Sequence, residues 1–527
     1  MHDYIVIGAG SAGSAVAGRL VQAGANVLVL EAGGSDRHPY VSIPCCSPLA
    51  IASDKLNWKY AVQPDASRLN RADVWPAGRA LGGGSAINGM MYIRGHRADY
   101  DRWAGTGCAG WSYQDLLPYL RRMEDNNRGE NTFRGIGGPQ SVDDTRSPHP
   151  LTEKWIASIE AMGVPRVDDL NGEVPDGVDR VQATQKGGWR QTAASAYLRP
   201  LLKHPGLDLQ CNAEVKQIHF EGTRASSITW QRSGSTHTSA ASRGIIVASG
   251  AMGSPWLLLR SGVGPADSLS AAGIKTVSDV PGVGQNLQDH PAVMASFNLN
   301  EDSYGNELGP IRGIPHLLNF LLRGRGPLTT SIGHAHAFIR TDAGLELPDL
   351  QLISSPFAYD FDEKGASLVR DRAMGTAIGL MRPSSRGTLS LNQKDPFARP
   401  VISHEMLSHQ ADVEALMAGV RFVRKMMATP PMGQALVGER YPGAGVESTE
   451  QLEQFVRGAC FSMYHQVGTC KMGCDPMAVV DPQLRVRGVE NLWVADASIM
   501  PDLPSGNTNA TAIMIGERAS DLILEAA

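Results

Sequence analysis

The chain begins with a complete β-α-β unit. Tyr4-Ile5-Val6-Ile7 is a short apolar run, the pattern of a strand buried on both faces of a parallel sheet. Gly8-Ala9-Gly10-Ser11-Ala12-Gly13 follows, then a helical pattern through Ala15, Val16, Leu20 and Val21 that stops near Gly24. Asn26-Val27-Leu28-Val29-Leu30 is a second buried strand, with Glu31 at its end. A Gly-x-Gly-x-x-Gly run alone is a weak signal, and a glycine turn that binds nothing is the plain alternative. Between a strand and a helix, with an acidic residue about 20 residues on, it is the dinucleotide-binding fingerprint. Gly8 permits the tight turn, Gly10 lets backbone N–H groups approach a pyrophosphate, and Gly13 lets helix and strand pack closely. The helix N-terminus adds partial positive charge beneath the phosphates. Glu31 is placed to accept from the ribose hydroxyls. None of this separates a flavin from a nicotinamide dinucleotide.

The rest of the composition mainly excludes. At 527 residues the chain has room for two or three domains. A net charge of −5 gives no sign of a nucleic-acid or acidic-lipid partner. The 58 glycines cluster in short loops, as where backbone approaches a large ligand. Seven scattered cysteines do not form a disulfide framework. Cys470 and Cys474 are too far apart for a CxxC pair, so buried free thiols in a reducing compartment are expected. The first residues read as part of the fold, so no targeting segment is expected, and no apolar run approaches the length of a membrane span. A cytoplasmic protein is expected.

Further along, Ser112 and Asp115 form a capping box ahead of Leu116 and Leu120. Ile245-Ile246-Val247-Ala248 reads as a buried strand leading into a helix over Ser254 to Leu259. Residues 375–411 alternate strand-like runs with turns, so the flanks look α/β and the middle β-rich. Regions 300–313 and 358–372 are expected to be surface loops or lids. His334 and His336 alternate, which in a strand puts both on one face. A metal site there would need a third ligand that the sequence does not name. Lining a substrate pocket and ordinary polar packing are the other readings.

Three longer segments carry more. They are Gly78-Arg79-Ala80-Leu81-Gly82-Gly83-Gly84-Ser85-Ala86-Ile87-Asn88-Gly89, Gly250-Ala251-Met252-Gly253-Ser254-Pro255-Trp256 onward to Gly264, and a tail. The tail holds Tyr464-His465-Gln466-Val467-Gly468, Val494-Ala495-Asp496-Ala497-Ser498 and Gly506-Asn507-Thr508-Asn509. With the N-terminal fingerprint they resemble the glucose–methanol–choline (GMC) oxidoreductase family over nearly the whole chain. The resemblance implies FAD and an α/β fold: a Rossmann-type FAD-binding domain plus an α+β substrate domain on an antiparallel sheet. The boundaries expected are 1–155, 190–295 and 485–527 for the first, and 156–189 and 296–484 for the second.

It also implies a cofactor site. Gly8, Gly10, Ser11, Ala12, Gly13, Glu31 and Ala32 belong to the nucleotide end. The bare run through Gly83, Gly84, Ser85, Asn88, Gly89 and Met90 lies along the flavin ring. Val215 meets adenine through its backbone, and Asp496, Ala497, Asn507 and Thr508 lie near the pyrophosphate and ring. Arg79 offers a fixed charge for a phosphate, with a surface ion pair as the alternative. Asn88 could equally be a self-satisfied turn residue. Some family members attach FAD through a histidine just before the Asn88 position. Here Ile87 stands there, so FAD is expected to be non-covalent.

The reaction implied is oxidation of an alcohol. Hydride leaves a carbinol carbon readily only if the hydroxyl proton leaves too, so a base near the working pH and a hydrogen-bond donor at the oxygen are needed. His465 and Asn507 fall at the family's catalytic positions, as base and donor. Many members carry a second histidine where this chain has Asn507, so proton removal falls on His465 alone. A buried structural His465, a turn Asn507 and the nearby Asn509 are the competing assignments. An NAD(P)-dependent dehydrogenase and a non-catalytic flavin-binding protein remain as rival functions. The expected partners are a small-molecule alcohol and O2 or a quinone-like or artificial electron acceptor. Neither the alcohol nor the acceptor is specified.

Overall fold

A computed structural model describes residues 2–308, 313–362 and 365–526. The fingerprint forms as its pattern dictates: strand His2–Ile7, helix Ser11–Gln22, strand Val27–Glu31. Among the described residues these strands belong to a seven-stranded sheet. Leu207–Cys211, Val27–Glu31, His2–Ile7, the end of Ser235–Val247 and Leu492–Val494 run parallel in that order. The first half of Ser235–Val247 instead pairs antiparallel with Arg224–Arg232, which pairs with Glu214–Glu221. One long strand thus serves both a parallel sheet and a hairpin. Its exposure changes with its role: residues 235–243 are mostly exposed, while Gly244, Ile245, Ile246 and Val247 are buried.

The final helix, Asn509–Glu525, packs on Ser11–Gln22. The contact is close because Gly516 has no side chain: a Cβ there would stand 2.4 Å from the Ala12 carbonyl oxygen. Buried Glu517 pairs with Arg19 and Arg122 and accepts from Tyr197 Oη, which ties the middle of this helix to the ends of helices Ser11–Gln22 and Tyr113–Arg122.

Among the described residues a second seven-stranded sheet is antiparallel throughout. Leu436–Tyr441, Pro291–Leu299, Ala373–Leu380, Leu350–Ser355, Ala335–Ile339 and Val178–Arg180 lie side by side, and Phe461–Ser462 pairs with Pro291–Leu299. Helix Gln410–Ala428 covers one face. Its Gly419 lets Ile378 and Leu350 press in, since a Cβ would meet them at 2.5 and 2.7 Å. The strand-like runs over 375–411 are strands, and the Ser112–Asp115 capping box is present.

The two expected loops differ from their reading. Ser303 and Asn306 form a capping box that starts a short helix, Tyr304–Glu307. Tyr304 is buried and donates to the Ser147 carbonyl, which holds that turn down. Residues 309–312 of the same region lie outside the described residues. In the other region Tyr359–Asp362 and Gly365–Leu368 pair as a hairpin, anchored by Arg440 on Asp360, with 363–364 outside the described residues. Short polar stretches hid a cap and a hairpin that long-range partners stabilise. No helix among the described residues is long and apolar enough to cross a membrane.

Candidate active site

A cavity of about 420 Å³ runs from the carboxyl ends of the parallel strands to the antiparallel sheet. Open α/β sheets bind ligands at that edge. Gly8 is at φ +100, and a Cβ there would stand 2.5 Å from the Ala248 carbonyl oxygen. Gly13 meets the turn behind it, where a Cβ would stand 2.0 Å from the Gly8 carbonyl oxygen. Gly10 is different. Its nearest neighbour would be Gly83 Cα at 3.9 Å, and around Gly84 a Cβ would meet nothing within 4 Å. No protein packing requires glycine at these two positions; their bare backbone faces the cavity instead. Glu31 braces the turn, accepting from Ala9 N at 3.0 Å and Gly33 N at 2.7 Å. Burial pushes its carboxyl up to about 7 against those bonds. Asp496 accepts from Gly250 N and Ser498 N, both at 2.8 Å, and so joins the start of helix Gly250–Arg260 to the C-terminal segment.

The other end is built from side chains. Asp289, fully buried, accepts from His290 N, His465 N, Ser462 Oγ and Gln466 Nε2. One carboxyl therefore clamps the start of strand Pro291–Leu299 to the turn that presents His465. Burial pushes that carboxyl up to about 7, and the four donors pull the other way. Tyr464, just before His465, is at φ 65, strain that the clamp supports.

The protons of the histidine pair are fixed by one carbonyl. His290 Nε2 lies 3.2 Å from the Met381 carbonyl oxygen, which can only accept, so Nε2 carries the hydrogen. Burial, and then the neighbouring His465, hold the His290 pKa well below the usual histidine range, so the ring is neutral and its Nδ1 is an acceptor. His465 Nδ1, 2.9 Å away, therefore donates to it. His465 Nε2 is left with a lone pair and faces Asn507 Nδ2 at 3.2 Å. Burial lowers the His465 pKa to about 4, so it stands as a free base. Asn507 is oriented in turn: its Oδ1 accepts from Gln351 Nε2 at 3.4 Å, and the same amide donates to His336 Nδ1 at 2.8 Å.

The cavity gathers most of the residues expected from the sequence. Gly8, Gly10, Ser11, Ala12, Glu31, Ala32, Gly83, Gly84, Asn88, Gly89, Met90, Val215, Asp496, Ala497, Thr508, His465 and Asn507 all line it. Gly13, Arg79 and Ser85 do not. Gly13 packs behind the turn, Ser85 Oγ donates to the Gly82 carbonyl and accepts from Ala193 N, and Arg79 lies over the Trp58 ring. Asn88 Oδ1 accepts from Arg190, whose guanidinium also holds Val41 and Ser47. His334 and His336 part company: His334 sits by Thr152 and Tyr304, and His336 stands behind Asn507 through Gln351. Among the described residues no group of three His, Cys, Asp or Glu side chains could hold a metal ion. His290, Gln351 and Met381 escaped the sequence reading, since nothing local marks them as partners of His465.

Models of GMC oxidoreductases match residues 2–292 and 383–516. The chain belongs to the GMC oxidoreductase family. An oxygen-dependent choline dehydrogenase of Brucella canis is 38% identical over 526 residues, covering 99% of this chain and 95% of that protein. Pyridoxine 4-oxidase from Mesorbium loti superposes with a TM-score of 0.89 at 27% identity, over 99% of both chains. A fungal aryl-alcohol oxidase superposes with a TM-score of 0.85 at 26% identity, over 100% of this chain and 99% of that one. This GMC oxidoreductase is an FAD-dependent enzyme that oxidises alcohols. Its cavity suits that cofactor: bare backbone at Gly10 and Gly84 for a pyrophosphate and a flat ring, and a neutral imidazole nitrogen beside the Asn507 amide beyond.

Proposed function

We propose that His465 is the general base of alcohol oxidation and Asn507 the hydrogen-bond donor to the substrate oxygen. The His465 Nε2 to Asn507 Nδ2 contact carries the reading. A hydroxyl entering there finds an acceptor for its proton and a donor for its oxygen in one place. His465 Nε2 takes the proton, and Asn507 Nδ2–H steadies the charge growing on oxygen. The imidazolium that forms keeps its Nδ1–H on His290, so the new charge rests against an acceptor already in place. FAD, when bound, supplies the acceptor for the hydride that leaves the carbinol carbon. Gly8, Gly10 and Ser11 would hold its pyrophosphate, with Glu31 and Val215 at the nucleoside and Asn88 to Met90 and Ala497 along the ring. Ile87 offers no nitrogen for a covalent bond, so this reading keeps FAD dissociable. The domain division goes with it: 1–155, 190–295 and 485–527 for FAD, 156–189 and 296–484 for substrate.

The substrate we infer is a neutral alcohol with an apolar body. Around His465 the cavity is lined by Met90, Met91, Met294, Ile332, Ile353 and Met463. The carboxylates that line it, Glu31, Glu214 and Asp496, belong to the nucleotide end. A quaternary ammonium like that of choline would find no carboxylate lining the cavity beside the base, Asp289 being turned to the backbone behind it, whereas flexible methionines adapt to varied apolar groups. An anaerobic panel tests both parts. Apolar primary and aryl alcohols should bleach the flavin at least about tenfold faster than choline at equal concentration. Choline leading the panel would refute the substrate class, and no bleaching by any alcohol would refute the mechanism.

A further inference from the structure

Helix Gly313–Arg323 has an apolar face that, among the described residues, nothing covers. Phe320 is its buried anchor, 4.4 Å from the Trp189 ring centroid-to-centroid. Ile314, Leu317, Leu318, Leu321 and Leu322 are exposed, Leu322 at 81%. Trp189 itself is partly exposed beside them, on a hairpin whose Gly188 packs against the Gly324 carbonyl. Five large aliphatic side chains exposed on one short helix exceed the scatter of single apolar residues on ordinary surfaces.

Charge says what fits this face. Arg323, Arg325 and Lys186 are exposed around it. Residues 313–326 contain no carboxylate. Leucines facing outward, a tryptophan at their edge and cations around them are the composition of a helix lying in a membrane interface. The overall charge of −5 conceals this local cluster. We propose that this face docks on an anionic lipid surface, with the leucines in the acyl boundary and the cations among the headgroups. A second copy of the chain fits less well, because a two-fold contact on this face would gather the same cations with no carboxylate of the helix to meet them. The position also has a use. The segment after the helix leads to Ser331, whose Oγ donates to the Gly89 carbonyl, and to Ile332, which lines the cavity. Docking there sets the substrate end of the cavity close to lipid, where apolar alcohols concentrate.

Sedimentation of the full-length flavoprotein with vesicles tests this. Wild type should pellet with 3:1 phosphatidylcholine–phosphatidylglycerol vesicles at low salt, and less with phosphatidylcholine alone, using ratios of about that order. The double variant Leu318→Glu/Leu322→Glu should lose at least about tenfold in partitioning while keeping its flavin and its turnover of a water-soluble alcohol. Arg323→Gln/Arg325→Gln should weaken binding to the anionic vesicles only. Wild type staying in the supernatant with both vesicles overturns the proposal, as does a double variant that pellets like wild type. A lipid-free dimer that the leucine variants split into monomers, seen by sedimentation velocity, overturns it in favour of a self-contact.

Discussion

The two ends of the cavity are made of different material. The nucleotide end offers backbone: Gly8 and Gly13 make a turn and its packing, and Gly10 and Gly84 leave peptide groups bare. The chemical end offers side chains whose protons are set in series, Met381 to His290 to His465 to Asn507. Backbone recognises a ligand by shape and tolerates any side chain that stays out of the way. A proton chain works only if each member keeps its donor or acceptor. Changes at the first end should therefore empty the site, and changes at the second should stall a full one.

The strongest test removes the base. His465→Ala should keep its flavin yet slow anaerobic flavin reduction by roughly 10²–10⁴-fold, the contribution of general base catalysis. Reduction at the wild-type rate with saturating alcohol would show that proton removal lies elsewhere. The wild-type profile adds a sign: with the His465 pKa lowered to about 4, the base is free above that pH, and kcat/KM should fall only below it rather than near the ordinary histidine value. Asn507→Ala should cost on the order of 10²–10³-fold, the scale of one oxyanion donor, again with flavin retained. His290→Leu fills similar space but gives His465 Nδ1–H no acceptor. A loss of about 10–100-fold is expected, as for other partners that orient a reacting imidazole. An unchanged rate would mean that water or backbone sets the tautomer equally well.

The smallest effect on the protein probes the other end. Gly10 has φ −74, open to any residue, and a Cβ there barely meets the protein. Gly10→Ala should leave the apoprotein's stability within about 0.5 kcal/mol of wild type while lowering the flavin-to-protein absorbance ratio. Equal flavin content would break the contrast between the two ends.

The same contrast decides what could be read from the sequence. The β-α-β unit, its glycines and Glu31 are contiguous, so periodicity and spacing expose them. The Ser112–Asp115 cap is equally local. His465 and Asn507 were reached through family resemblance, because a lone histidine in a turn has no periodic signature. His290 is 175 residues from His465 and Met381 is 91 from His290, and only the antiparallel sheet brings them together. Gly313–Arg323 went unread for another reason: its apolar residues look like a core stripe, and only the structure shows that, of its large apolar side chains, Phe320 is buried while Ile314, Leu317, Leu318, Leu321 and Leu322 stay exposed.

Strand Leu492–Val494 pairs with the end of Ser235–Val247, and Ser11 Oγ donates to Asn509 Oδ1 at 2.7 Å. The first turn of the molecule is thus completed by some of its last residues. Domains tend to fold as units during synthesis, starting from the N-terminal side. Here the emerging chain must wait. Strands Leu207–Cys211 and Ser235–Val247 cover the edges of its opening β-α-β unit mid-chain, but the outer edge of Ser235–Val247 and one face of helix Ser11–Gln22 stay bare. Both stay uncovered until the final helix is translated. The interval exposes strand edge and apolar surface, so chaperone demand should be set by how fast the ribosome reaches residue 509, and a stalled ribosome would leave a chain with no finished place for FAD.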